Sequence, residues 1–408
     1  MNAPAIPTHV PSELVYTWDH YNDPDLLREP HAAYDKLRER YRIFFSPLNE
    51  GFWAITQYDD AYEALRRTDL WSSKYLAIPA LENFLMPINL DPPNHTKYRR
   101  LISHPFLAPR VKELGSSIRV IAQELIGDIV GRNECEFMDE VGRPLPAMIF
   151  SRILGTPPDQ WRQFAEWNYA IFHVDDMKAR AAATGAVTDY LRHLVAQRAD
   201  HPSDDLLSLL LTTEVDGERL TEDELLSFAV LLFMAGVDTI SGALSFIFAF
   251  LARSPDHRSQ LIDEPELIRP AVEEMLRCRS HVQLSRTATG DFEFAGVQIK
   301  QGDRLLIPLV SANRDDAAFL DAARIDFLRT PNKHIAFGTG PHKCVGDHLT
   351  REVIVILLEE WHRRFPGYEI DDAAPLSHHG GGLVGLNTLP LLLHSDTHRL
   401  GGHRDARN

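Results

Sequence analysis

Cysteine is scarce in this chain: Cys135, Cys278 and Cys344 are the only three in 408 residues. An odd, widely spaced set builds no disulfide framework, so the thiols point to a reducing, cytoplasmic setting in which Cys135 and Cys278 are structural. Positive charge is also in deficit. A formal net charge of −16 argues against nucleic acid or an anionic membrane as the main partner. The first residues show no basic leader followed by an apolar core, so neither a signal peptide nor a membrane anchor is expected. Gly-, Ser- or Pro-rich linkers, internal repeats and low-complexity tracts are missing too. Length alone would suggest two or three domains. Without boundaries the expectation is one large domain over residues 1–408, with loose ends at 1–11 and 395–408.

What the chain does have is one long apolar run, Phe228 to Ala252, which passes for a membrane span on hydropathy. Asp238 stands near its middle, where an ionisable side chain is expensive in lipid. Thr221-Glu222-Asp223-Glu224 has the spacing of a capping box, and Ser254-Pro255 ends the run. These signals predict a helix of roughly thirty residues, about 50 Å long, through the centre of a globular protein. Inside it, Ala235-Gly236 is a small-residue step that opens space for a ligand, and Asp238-Thr239 sets an acid and an alcohol beside that space. The same residues also suit plain helix packing and a threonine bonded to a preceding carbonyl.

Near the end, Phe337-Gly338-Thr339-Gly340-Pro341-His342-Lys343-Cys344-Val345-Gly346 puts Cys344 in a glycine-punctuated turn before an apolar helix, Leu349 to Phe365, that Pro366 stops. Unpaired N–H groups and the dipole at that helix start favour thiolate. Gly338, Gly340 and Gly346 let the backbone take unusual dihedrals and approach a flat, bulky group. One thiolate with no second cysteine nearby builds neither a zinc nor an iron–sulfur site. A single axial bond to haem iron is the remaining use.

This run, F-G-x-G-x-H-x-C-x-G, resembles the haem-binding signature of the cytochromes P-450. The resemblance implies the family's fold, mainly α with a small β portion, and heme b (haem b) held through iron by the Cys344 thiolate. Short strand signals at Gly51 to Thr56, Phe292 to Ile299 and Leu305 to Ile307 agree with a small sheet. Ala235 to Thr239 is similar to the oxygen-activating helix of the family, which implies that Asp238 and Thr239 relay protons. Pro270 begins a helix with Glu274 and Arg277 on one face. Glu274-Met275-Leu276-Arg277 resembles the family's E-x-x-R motif and, with Arg329, implies a buried structural triad. An acidic chain must neutralise the haem propionates locally. His95, Arg99, Arg286 and His342 match the positions that do so in the family.

Over nearly its whole length the chain looks like the camphor-hydroxylating branch of soluble bacterial cytochromes P-450, through His9-Val10-Pro11, Leu244-Ser245-Phe246, Leu251 to Arg258 and Phe292 to Asp303. That branch implies dioxygen, a small apolar substrate, and a 2Fe-2S ferredoxin served by an NADH-dependent flavin reductase. Arg99, Arg100, Arg110 and Lys343 would present a positive face to the ferredoxin. Three departures bear on specificity. Asn83 stands where the camphor enzyme has a tyrosine for the ketone, Leu284 replaces an aspartate near a propionate, and His173 replaces the arginine that pairs with the helix acid. The further pocket candidates, Phe84, Leu85, Ile171, Phe172, Leu231, Met234, Val237, Val282, Leu383 and Val384, are apolar. Gly380-Gly381-Gly382 leaves room for a longer molecule. The expected reaction is oxygen insertion into a C–H bond of a terpenoid or norisoprenoid ketone, camphor- or ionone-like. The alternatives are a haem-thiolate peroxygenase, which usually lacks the acid–alcohol pair, and a non-catalytic haem sensor.

Overall fold

The computed structural model describes residues 6–80, 84–174, 176–374 and 376–394. The principal helices are α1 (Pro30–Arg40), α2 (Asn94–Ser103), α3 (Ala108–Gly127), α4 (Pro144–Leu154), α5 (Trp161–His173), α6 (Met177–Asp200), α7 (Glu222–Arg253), α8 (Ile268–Cys278) and α9 (Asp347–Arg364).

α7 is the predicted central helix, 32 residues long. Thr221 caps it reciprocally with Glu224: the Thr221 hydroxyl accepts from the Glu224 N–H at 3.3 Å, and the Thr221 N–H donates to the Glu224 carboxylate at 2.8 Å. A helix apolar on nearly every side is stable only when surrounded. α4, α5 and α6 pack against α7, and 83% of its most apolar window is buried inside the protein. That burial accounts for its hydropathy without a bilayer.

A mixed sheet lies beside the helices. Its strands are β1 (Ile43–Ser46), β2 (Phe52–Ile55), β3 (Trp71–Ser72), β4 (Gln283–Ala288) and β5 (Arg304–Pro308), in the spatial order β1-β2-β5-β4-β3. β5 runs parallel to β2, with Leu305 opposite Trp53, and the other pairs are antiparallel. The expected strand from Phe292 to Ile299 is a separate hairpin instead. Ala295 and Gly296 both take positive φ, 51° and 85°, and turn Phe292–Phe294 back on Val297–Ile299.

Two boundaries also move. α8 begins at Ile268 rather than Pro270, which sits in the first turn where its missing N–H goes unneeded. The N-terminal stretch is fastened rather than loose from His9 onward: His9 Nε2 lies 2.9 Å from the Asp303 carboxylate, and Val10 is buried. The other expected loose end, 395–408, lies outside the described residues.

α8 ties the body to the loop that carries Cys344. Glu274 and Arg277 are fully buried and meet in a two-pronged pair at 2.7 and 2.8 Å. Arg277 also donates to the Asn313 and Ala322 carbonyls, and Arg329 Nε reaches the same Glu274 carboxylate at 2.9 Å. The expected triad is thus assembled, with the Asp326 N–H and the Asn332 amide completing the shell around Glu274. Truncating one member of such a network leaves the others buried and unpaired. Glu274→Ala is therefore expected to cost about 3–5 kcal/mol in urea unfolding, and a loss below about 1 kcal/mol would contradict the structural role.

Candidate cofactor and active site

The Cys344 loop is built on two left-handed glycines. Gly338 and Gly340 have φ of +67° and +73°, and a Cβ on Gly340 would fall 2.6 Å from the Leu65 carbonyl oxygen. Gly346 differs from expectation: at φ −87° it is ordinary backbone and forms the N-cap of α9. The Cys344 N–H closes the loop on the Phe337 carbonyl at 2.9 Å. Beneath it, Arg351 lies over the Phe337 ring at 4.4 Å and pairs with both Glu273 and Asp347. Glu273 also receives His334, and these partners hold its carboxyl down at about 2 despite its burial. Glu273, His334 and Arg351 were not marked in the sequence, because a charged pair on a helix looks the same whether it clamps a loop or faces water.

In the chain by itself, burial pushes the Cys344 thiol up, while the Gly346 N–H, Arg99 and Lys343 pull it down. The helix start and the neighbouring cations thus act in the direction of thiolate, and burial acts against it. Cys344 nevertheless keeps accessible surface, as does Ala235 in the middle of buried α7. Accessible surface at such positions means open space within the fold. That space is not where Gly236 was expected to make it, since the Phe150 ring fills the notch: a Cβ on Gly236 would lie 2.0 Å from Phe150 Cζ.

Next to the thiol four basic residues converge. The His95 and His342 rings meet at a tilt of 41° with centroids 4.0 Å apart. Arg286 shares the face of the β4 segment with Val282 and Leu284 by strand alternation. Arg99 turns inward and donates to the Lys343 carbonyl. Both ring nitrogens of His95, Nε2 of His342 and Nε of Arg286 are buried with no partner among the described residues. Burial and the neighbouring cations press His342 down to about 2 and His95 to about 4, and burial alone presses Arg286 to about 10. The carboxylate whose charge reaches Arg286 and His95 is Asp91, and it is already held by the Ser72 hydroxyl and the Ser73 N–H. Unanswered donors around an accessible sulfur fit a flat group with an iron centre and two carboxylates.

On α7 itself, Asp238 is buried and its Oδ1 lies 2.7 Å from His173 Nε2, while Oδ2 has no partner among the described residues. Burial raises its pKa most, but the His173 hydrogen bond and charge, joined by His379 and His281, together hold it below the usual carboxylate value. Two further histidines flank it, each seated on a glycine. His281 occupies the space left by Gly242 and bonds the Thr239 carbonyl at 2.9 Å. His379 occupies the space left by Gly385, meets the His173 ring edge-on at 4.2 Å and bonds Asn387 at 2.8 Å. Burial presses both down to about 4. The Thr239 hydroxyl donates to the Ala235 carbonyl at 2.7 Å.

The apolar candidates separate into two groups. Leu85, Phe172, Met234, Val282 and Leu383 are half-buried, and Val282 bridges Leu383. Ile171, Leu231, Val237 and Val384 belong to the closed core, Val384 with no accessible surface at all. Strand alternation turns Val384 away from the side that Leu383 presents. Phe84 is largely exposed, and Asn83 lies outside the described residues. The glycine run is not the opening expected. Cβ atoms on Gly380 and Gly381 would strike the Tyr21 carbonyl and ring, and only Gly382 faces free space. Of the expected positive face, Arg99 points inward, Lys343 pairs with Asp347 and Arg110 pairs with Glu113.

Comparison with known proteins agrees with this geometry. The family model for cytochrome P-450 matches residues 160–382. The chain is 32% identical to a steroid C26-monooxygenase of Mycobacterium tuberculosis, over 90% of this chain and 94% of the relative. It is 31% identical to a linalool 8-monooxygenase of Pseudomonas putida, over 85% and 92%. The crystal structure of CYP101J2 superposes with a TM-score of 0.89 at 27% identity, covering 96% of this chain and all of the other. The chain belongs to the cytochrome P-450 family, oxidoreductases that incorporate oxygen with a haem carried on a cysteine thiolate.

Proposed function

We propose that this monooxygenase hydroxylates a small neutral substrate of the terpenoid or norisoprenoid ketone class, in the cytoplasm, with electrons from a 2Fe-2S ferredoxin kept reduced by an NADH-dependent flavin reductase. What supports the substrate class is that five candidate side chains, Leu85, Phe172, Met234, Val282 and Leu383, are apolar and half-buried, with Val282 bridged to Leu383. Lining a site, such side chains would exclude water, reject ionised molecules and orient a carbon skeleton by shape. Relatives named for linalool and for a steroid support a neutral, largely hydrocarbon substrate.

Bound haem supplies the reduction of dioxygen and the oxidation of the C–H bond. The chain's own residues do the rest. Cys344 would hold the iron, and His95, Arg99, Arg286 and His342 would receive the propionates. Asp238 Oδ2, without a partner among the described residues, is the atom that can exchange a proton, and the Thr239 hydroxyl stands one residue on. His173 keeps Asp238 ionised between transfers. That acid–alcohol pair supports a monooxygenase over a peroxygenase.

Thr239→Ala is expected to leave NADH consumption running while most of the electrons appear as hydrogen peroxide. Undiminished product per NADH would remove Thr239 from the relay. His173→Leu tests the partner of Asp238. With His173 the carboxyl is depressed, so its stabilising contribution is present above about pH 4 and lost as pH falls below that. Without His173 the main opposition to burial is gone and the pKa rises, so the protonated carboxyl persists to higher pH. The acid limb of the coupling profile should move toward neutral pH. Identical profiles would show that His281 and His379, or Tyr169 beside His173, hold Asp238 instead.

A further inference from the structure

His379 stands in a short hairpin, His378–His379 against Gly385–Leu386, with His379 opposite Gly385. Alternation along the strand sends the two histidines to opposite faces. His378 lies beside the Phe246 ring, 6.4 Å between centroids, whereas His379 crosses Gly385 and meets the His173 ring edge-on at 4.2 Å. Gly385 is what lets the ring through. A Cβ there would fall 2.6 Å from Cε1 and 2.8 Å from Nε2 of His379.

The hydrogen bonds fix which nitrogen carries the proton. Asn387 commits its amide N–H groups to the Ser377 hydroxyl at 3.1 Å and the His378 carbonyl at 3.4 Å, which leaves its Oδ1 to accept from His379 Nδ1 at 2.8 Å. Neutral His379 therefore holds its proton on Nδ1 and a lone pair on Nε2. His173 is the complement. Its Nε2–H donates to the Asp238 carboxylate, and its Nδ1 is buried with no partner among the described residues. The side chains of His173 and Asp238 are only 7% and 8% exposed, whereas the network beyond His379 runs through Asn387 to exposed Ser377. Burial and the neighbouring His173 and His281 keep His379 neutral, with Asp238 and Asn387 pulling the other way. Arg143, at the start of α4, stands one step further out on the Asn387 carbonyl at 2.9 Å.

We propose that His379, a positioning residue that acts through His173, passes protons to the His173–Asp238 pair by way of its Nε2 and His173 Nδ1. The inference rests on the reading of Asp238 as a proton donor to the site. In each passage a proton taken from water at His379 Nε2 moves to His173 Nδ1, and His173 gives its Nε2 proton to Asp238. Both imidazoles are left neutral and the carboxyl protonated.

The test is solvent exchange at the His173 ring, read from proton–nitrogen correlation spectra of the full-length, haem-loaded protein in its ferrous carbon-monoxide form, labelled at the histidine ring nitrogens. The wild-type spectra should show His379 as the Nδ1–H tautomer. His379→Gln keeps a group that can bond Asn387 but cannot pass a proton, and Gly385→Ala displaces the unaltered ring; each should slow exchange of the His173 Nε2 proton about tenfold or more. His378→Gln, on the opposite face, should leave it unchanged. A merely structural His379 gives the reverse, since loosening the site admits water and speeds exchange. If one variant does not fold, the other carries the test. Exchange unchanged or faster in either folded variant, equal slowing in His378→Gln, or His379 with its proton on Nε2 would each overturn the proposal. Failure of the underlying relay reading shows separately, as undiminished product per NADH in Thr239→Ala, and leaves the passage itself standing.

Discussion

His95, Arg99, Arg286 and His342 meet in one interior region with no carboxylate free to neutralise them. The two imidazoles can escape by losing their protons, as their depressed pKa values indicate, but the two guanidiniums cannot. Such an arrangement is stable only when a polyanionic group completes it. The same region holds the Cys344 thiol, which keeps accessible surface and is free to bind a metal. The interior is therefore complementary in two ways at once, toward negative carboxylates at its edge and a positive metal at its centre. Folding stability and cofactor binding become one quantity.

Two adjacent acids on α8 turn that demand into a fixed geometry. Glu274 faces inward and anchors Arg277 and Arg329, which hold the carbonyls of 313 and 320–324. Glu273 faces the other way and anchors His334 and Arg351, which brace Phe337 and the start of α9. Between them the loop carrying Cys344 has little freedom left. Glycines serve a matching purpose elsewhere. Gly242 and Gly385 admit His281 and His379 against Asp238, and Gly236 admits Phe150, so that α7 is locked sideways while its Ala235 side stays open.

Much of this was legible in the sequence where local chemistry and long-range packing agree. The capping box at Thr221, the pair at Glu274 and Arg277, and the turn around Cys344 each carry their own spacing, and each has the partners expected. His173 as the partner of Asp238 was also legible, by its place in the family pattern. The failures share one physical cause. Whether Val384 or Leu383 faces the hollow, or whether Gly381 opens space or is closed by Tyr21, depends on neighbours hundreds of residues away. Strand β1, which was not read from the sequence, is buried along its whole length and carries no alternation to read.

The measurement that bears most directly on the central claim is the carbon-monoxide difference spectrum of the reduced, haem-replete protein. If Cys344 is the axial ligand in an interior built for haem, the spectrum will show the long-wavelength Soret band that an electron-rich thiolate imposes. A band at the position typical of histidine-ligated haem, in protein with full haem content, would contradict the assignment of Cys344 and the reading of the basic cluster around it.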